Sequence, residues 1–141
     1  MATSRNATTT WHGTLFEGSG RVELDSSGLG GFDVTWPSRA ETPDGRTSPE
    51  ELIAAAHSSC FSMALSNGLA KAGTPADTLE TTASVTFQPG EGITGIHLSV
   101  RGTVPGMDAD TFQSAAEAAK EGCPVSKALS GTTITLEASL A

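Results

Sequence analysis

Positive charge is scarce in this chain of 141 residues: 8 Lys and Arg stand against 16 Asp and Glu, a formal net charge of −8. With no basic patch to displace counterions from phosphates, the composition argues against nucleic acid and anionic membranes as partners. Long apolar runs are missing as well. No stretch reaches the roughly 18 residues of a membrane-spanning helix, and the opening segment MATSRNATTTWHG lacks the apolar centre of a signal peptide, so the expected location is the cytoplasm. Cysteine is sparse. Cys60 and Cys123 are too few for a disulfide-dense secreted scaffold and match no paired C-x-x-C zinc spacing. In a reducing compartment two distant cysteines are either inert core residues or a redox pair. Internal repeats, a low-complexity tail and the G-x-S-x-G elbow of a serine hydrolase are also absent. The length fits a single domain, 1–141, with a core of its own.

Short β-prone runs fill the first 37 residues: TTTWHGTLF, SGRVELD and GGFDVTW, separated by breaks at Gly18–Gly20 and Ser26–Gly31. They read as three antiparallel strands. Pro37 to Ser48 is polar and rich in Pro and Gly, which predicts a surface loop, long enough to carry function. LETTASVTF and ITGIHLSVRGTV read as two strands joined by a turn at Pro89–Gly92. A helix is expected over Asp108–Glu121, a short one over Pro124–Ser130, and TTITLEASL closes as a strand. The order βββ-α-ββ-αα-β predicts an α+β domain, with one long helix against antiparallel sheet.

That long helix has clear punctuation. Ser48 is the expected N-cap, Pro49 occupies the first helical position, and Glu50 and Glu51 lie in the first turn, with a possible capping box from Ser48 to Glu51. Lys71 in the last turn and Gly73 after it end the helix. At 100° per residue Cys60 shares a stripe with Ile53, Ala56, His57, Met63, Ala64 and Asn67. The run AAAHSSC is rich in small residues and suits close approach of a second helix, including the same helix of another copy.

Taken alone, Cys60 reads first as a small apolar core residue, with a reactive thiol as the alternative. Cys123 precedes Pro124, so its backbone is expected to be extended at the start of the short helix, where free N–H groups favour a thiolate. His57, one turn before Cys60, can reach the thiol or be satisfied by packing. Glu50 is about 15 Å from Cys60 along the helix, at 1.5 Å per residue. Two helices crossing antiparallel near residue 55 would bring Glu50 of one chain towards Cys60 of the other.

TSPEELIAAAHSSCFSMALS, EGCPVSKAL and WHGTLFEGSGRVELDSSG together closely resemble the OsmC proteins of the OsmC/Ohr superfamily, the osmotically inducible and organic hydroperoxide resistance proteins. The likeness runs from Trp11 to the final strand in the same element order. The His in AAAHSSCF and the GCPVS around Cys123 resemble the OsmC branch. The resemblance implies an OsmC-like α+β fold in an intertwined homodimer with the central helices packed together. It also implies a thiol-dependent peroxidase for stress defence, reducing organic hydroperoxides better than hydrogen peroxide. Cys60 would be the peroxidatic cysteine and Cys123 the resolving one.

The family glutamate maps to Glu50, and the arginine beside the thiolate maps to Arg39, with Arg21 as the alternative; Arg46 and Arg101 read as surface charges. The family chemistry implies no metal and no organic cofactor, only the hydroperoxide substrate and an external dithiol reductant, of lipoyl type or another small thiol. Phe61, Met63, Phe32, Trp36 and Met107 are candidates for an apolar pocket wall. A rival reading from another class is a non-catalytic dimeric binding protein with buried structural cysteines.

Overall fold

Strand-forming residues in the first third of the chain form three short strands, β1 (Thr8–His12), β2 (Ser19–Glu23) and β3 (Gly31–Val34), in a computed structural model that describes the whole chain, Met1–Ala141. They are followed by α1 (Trp36–Ala40), α2 (Pro49–Lys71), β4 (Thr78–Gln88), β5 (Gly92–Thr103), α3 (Ala109–Gly122), α4 (Pro124–Ala128) and β6 (Ile134–Leu140). The α+β class and the βββ-α-ββ-αα-β order agree with the sequence reading, with one added helix, α1. The chain divides into two compact units, Met1–Leu52 and Ile53–Ala141. No helix is long and apolar enough to cross a membrane.

In the first unit β1, β2 and β3 form an antiparallel sheet in that order, with Val22 opposite Phe32 and Arg21 opposite Asp33. The stretch Pro37–Ser48, expected to be loop throughout, instead begins with α1. Thr35 caps this helix: its hydroxyl accepts from the Ser38 N–H, and the Ser38 hydroxyl oxygen accepts from the Thr35 N–H, with Pro37 in the first turn. Five residues without an apolar period leave no helical signature in the sequence. The following turn passes through two left-handed residues, Asp44 (φ 48°) and Gly45 (φ 78°).

In the second unit the sheet order is β4-β5-β6. β4 and β5 form the expected hairpin, from Thr78 opposite Thr103 to Gln88 opposite Gly92, with a bulge at Thr86/Phe87. β6, however, runs parallel to β5, Ile96 opposite Ile134 and Val100 opposite Ala138, which corrects the purely antiparallel reading. The cause is the connection. The chain leaves β5 and returns through α3 and α4, and a helical crossover delivers the next strand in the same direction. Strand alternation turns Leu98, Val100 and Gly102 inward.

Helix α2 ends as its sequence predicts, in a Schellman motif: Gly73 has φ 85°, its N–H bonds Ala70 O, and the Thr74 N–H bonds Leu69 O at 2.9 Å. The buried positions within this unit are His57, Phe61, Leu65 and Leu69, four residues apart. The face therefore differs from the predicted stripe: Met63 is 72% exposed, Ala56 and Asn67 are exposed, and Cys60 lies at the margin. Phe61, Leu65 and Leu69 pack with Leu98, Val100, Val104 and the α3 residues Phe112, Ala116 and Ala119 in one apolar core.

Gly102 is a point where this core admits no side chain. A Cβ there would lie 2.7 Å from Phe112 Cζ and 3.1 Å from Leu79 Cδ2, and the Phe112 ring is fully buried. Gly102→Ala is expected to lower unfolding stability by about 1–3 kcal/mol, the usual cost of overpacking; urea denaturation checks this, and an unchanged midpoint would show that the ring can shift.

Candidate active site

Cys60 lies on α2 and Cys123 at the junction of α3 and α4, and their two sulfurs are in hydrogen-bond contact at 2.9 Å. Both are free thiols. The junction follows from the sequence: Pro124 forces the preceding residue out of the helical region, and Cys123 takes φ −60°, ψ 125°. It closes α3, its N–H bonding Ala119 O, and opens α4, its carbonyl accepting from the Lys127 N–H. Cys123 is fully buried within the apolar core, whereas Cys60 packs against that core and remains partly open to solvent. Two cysteines distant in the chain thus share one site, with unequal access from outside.

Burial pushes the Cys60 thiol up from the ordinary cysteine value, the hydrogen bond with Cys123 adds to the rise, and the nearby Val125 backbone N–H opposes it. A second polar link joins the same two helices. His57 Nε2 and Ser126 Oγ are 2.7 Å apart, both side chains buried. His57 stands one turn before Cys60, and Ser126 one turn after Cys123. The other ring nitrogen, Nδ1, is buried with no hydrogen-bond partner. Burial lowers the His57 pKa from its ordinary value, so the ring is neutral at neutral pH. His57 thus bonds Ser126, a partner the sequence reading did not single out; its one legible sign is its place in GCPVS, three residues after Cys123.

The first unit holds the second candidate group. Arg39 on α1 donates from Nε to both Glu50 carboxylate oxygens, at 3.0 and 3.2 Å, and from Nη2 to Oε1 at 2.8 Å. The Arg39 side chain is 31% exposed and that of Glu50 7%. A clamp around Thr47 sets this pair. The Thr47 N–H bonds Asp33 O at 3.0 Å and its carbonyl accepts from the Ser38 hydroxyl at 2.9 Å, holding α1 beside the start of α2. The capping box expected at Ser48 is half formed: the Ser48 hydroxyl accepts from the Glu51 N–H, but the Glu51 carboxylate accepts from the Thr47 hydroxyl.

Arg21, the alternative arginine, is engaged elsewhere, with Glu23 at 2.8 Å and Asp33 at 3.1 Å on the exposed sheet face, and those carboxylates raise its pKa. Arg46 pairs with Asp44 at 3.7 Å. Of the candidate pocket residues in the second unit, Phe61 is a fully buried core residue, Met63 is exposed, and Met107 packs on the core. In the first unit Phe32 is exposed, and Trp36 stacks edge-on with Phe16. No three His, Cys, Asp or Glu side chains converge as a metal site would require.

The depressed His57 pKa has a consequence for stability. The unfolded chain takes up a proton near the ordinary value of about 6.5 while the folded ring resists it. Stability is then complete above that pH and is lost as the pH falls below it towards the folded value. Chemical denaturation at about pH 7.5, 6.5 and 5.5 is expected to show the wild type losing more stability on acidification than His57→Gln; parallel losses would show that the ring accommodates the charge.

Comparison with known proteins identifies the family and the fold. A family model described as OsmC-like protein matches residues 42–137. Peroxiredoxin OsmC of Escherichia coli (strain K12) is 43% identical over 122 residues, 84% of this chain and 85% of that protein. Among solved structures, the organic hydroperoxide resistance protein OhrB of Bacillus subtilis aligns with a TM-score of 0.68 at 28% identity, covering 96% of this chain and 98% of its own. An OsmC-like protein from Vibrio cholerae reaches a TM-score of 0.75 at 18% identity over 97% of this chain and 99% of its own, a likeness of fold. The chain belongs to the OsmC family and, with the peroxiredoxins it matches, to the cysteine-based peroxidases among the oxidoreductases.

Proposed function

We propose that the chain reduces organic hydroperoxides, and hydrogen peroxide less efficiently, with Cys60 as the peroxidatic thiol and Cys123 as the resolving one. The observation that carries this reading is the 2.9 Å contact between two free thiols, one partly open to solvent and the other buried. The Cys60 thiolate attacks the peroxide, the O–O bond breaks, the Cys60 sulfur gains an S–OH group and the departing alkoxide leaves as an alcohol after taking a proton. Cys123 then attacks the Cys60 sulfur. The S–O bond breaks, the S–S bond forms, and hydroxide leaves with a proton as water. An external dithiol, of lipoyl type or another small thiol, returns two electrons by thiol–disulfide exchange. No step uses a metal or an organic cofactor.

A thiolate is needed, and the environment of Cys60 within its own unit raises its pKa. Arg39 is the proposed source of compensating positive charge, oriented by its fork of bonds to the buried Glu50 carboxylate. In this reading the pair acts on Cys60 from a second copy of the chain in a homodimer. The outward surface of α2, with Ala55, Ala56, Ser59 and Met63 exposed, supports pairing through that helix. The family match spans both compact units, and the chain is read as one OsmC-like domain working in the cytoplasm, where reducing thiols are available.

Consumption of cumene hydroperoxide with dithiothreitol tests the thiol roles. Cys60→Ser is expected to lose consumption, while Cys123→Ser stalls after about one equivalent as a sulfenic acid or after about two as a sulfinic acid. Undiminished consumption in Cys60→Ser would favour a binding protein with structural cysteines. The arginine is tested by the pH dependence of Cys60 alkylation. Arg39→Ala is expected to move the thiolate titration to higher pH by about one unit, roughly 1.4 kcal/mol, and Glu50→Gln in the same direction by less. An unmoved profile in Arg39→Ala would leave the cation unassigned.

A further inference from the structure

We propose that the buried His57–Ser126 hydrogen bond is a positioning device for the resolving step, holding α4 against α2 so that Cys123 stays within reach of Cys60 after that thiol has been oxidised. The inference rests on the peroxidase reading above and concerns residues that reading leaves without a role.

The argument begins from cost. A buried imidazole with an unpartnered Nδ1 is an expensive way to fill a core position, because a polar atom removed from water without a new partner is destabilising. An apolar side chain of similar size at position 57 would continue the Phe61, Leu65, Leu69 face of α2 without that cost. What the ring supplies, and an apolar residue does not, is a directional bond to one atom of α4, the Ser126 oxygen at 2.7 Å.

The placement of that bond relative to the sulfurs is the second observation. His57 lies one turn before Cys60 and Ser126 one turn after Cys123, so the bond joins the same two segments as the thiol contact. α4 has only five residues and no side-chain cap at its N-terminus. The thiol contact of Cys123, at the head of α4, ends on the Cys60 sulfur, and the Val125 N–H acts electrostatically on the same atom. Those two are disturbed when the sulfur acquires an oxygen. The His57–Ser126 bond does not involve the reacting sulfur and persists through that step, when the segment carrying Cys123 must be held.

Resolution itself is the balanced step already described: the Cys123 sulfur attacks the Cys60 sulfur, the S–O bond breaks and water leaves. The competing step is attack of a second hydroperoxide on the sulfenic acid, which oxidises Cys60 to the sulfinic acid and releases another alcohol. A positioning bond acts on the ratio of these two outcomes.

The test mixes reduced protein with cumene hydroperoxide and follows sulfenic acid by dimedone labelling, and disulfide and sulfinic acid by mass. In Ser126→Ala the rate of disulfide formation relative to sulfenic acid formation is expected to fall about tenfold, the effect of losing one hydrogen bond of ordinary strength, with sulfinic acid accumulating at excess peroxide. Ser126→Thr, which keeps the hydroxyl, restores the wild-type ratio, and His57→Gln reproduces the defect from the other end. A wild-type ratio in folded Ser126→Ala overturns the proposal. So does failure of both Ser126→Ala and His57→Gln to fold, since the bond then serves the fold as a whole. If the wild type consumes no hydroperoxide, the peroxidase reading itself fails; a consuming wild type with an unaffected Ser126→Ala removes only this inference.

Discussion

The spacing of four along α2 at His57, Phe61, Leu65 and Leu69 is the constraint on which the thiol site depends. Three of these side chains enter the core formed with β5 and α3, and their burial at roughly 25 cal/mol per Å² holds the helix against its sheet. Once that seam is set, the orientation of every other α2 residue follows at 100° per step. Cys60, one residue before Phe61, falls at the edge of the seam, with its sulfur against the core and part of its surface open. His57, one turn earlier, falls inside it. The exposure of the reacting thiol is thus a consequence of helix phase.

Cys123 reaches the same place by a different route. Phe112, Ala116 and Ala119 seat α3 on the shared core, and Pro124 then breaks the helix where the chain is deepest. The two routes create opposing electrostatic demands. Burial and the neighbouring thiol hold Cys60 protonated, while the Val125 N–H favours its thiolate. In the first unit the Arg39–Glu50 pair has an analogous balance: a carboxylate 7% exposed is tolerable because a guanidinium supplies its bonds. Removing either partner of such a pair costs far more than the pair contributes, so each fixes the other in place.

The comparisons separate two kinds of information. Likeness to the Vibrio cholerae protein at 18% identity shows that the chain path is shared and nothing about chemistry. Likeness at 43% identity to a peroxiredoxin carries the enzyme class. The particular contacts, the His57–Ser126 bond among them, come from the geometry of this chain.

Much of the fold was legible because it is written in local chemistry. The Ser48-Pro49 start and Gly73 stop of α2, the β4–β5 hairpin around Pro89 to Gly92 and the extended backbone before Pro124 each depend on neighbours within a few residues. The class, element order and resemblance carried by the two cysteine motifs were legible on the same grounds. Helix α1 was not, because its five residues are held by the Thr35–Ser38 caps and the Thr47 clamp instead of an apolar period. Nor was the parallel β6, whose direction follows from how α3 and α4 pack. Sequence alone determined which residues are chemically able: two thiols, a histidine, an acid after a proline and two competing arginines. Tertiary structure alone decided which of them meet. It brought Cys60 to Cys123, His57 to Ser126 and Arg39 to Glu50, and it engaged Arg21 with Glu23 and Asp33, because contacts between distant segments depend on how buried faces stack and no local preference encodes that stacking.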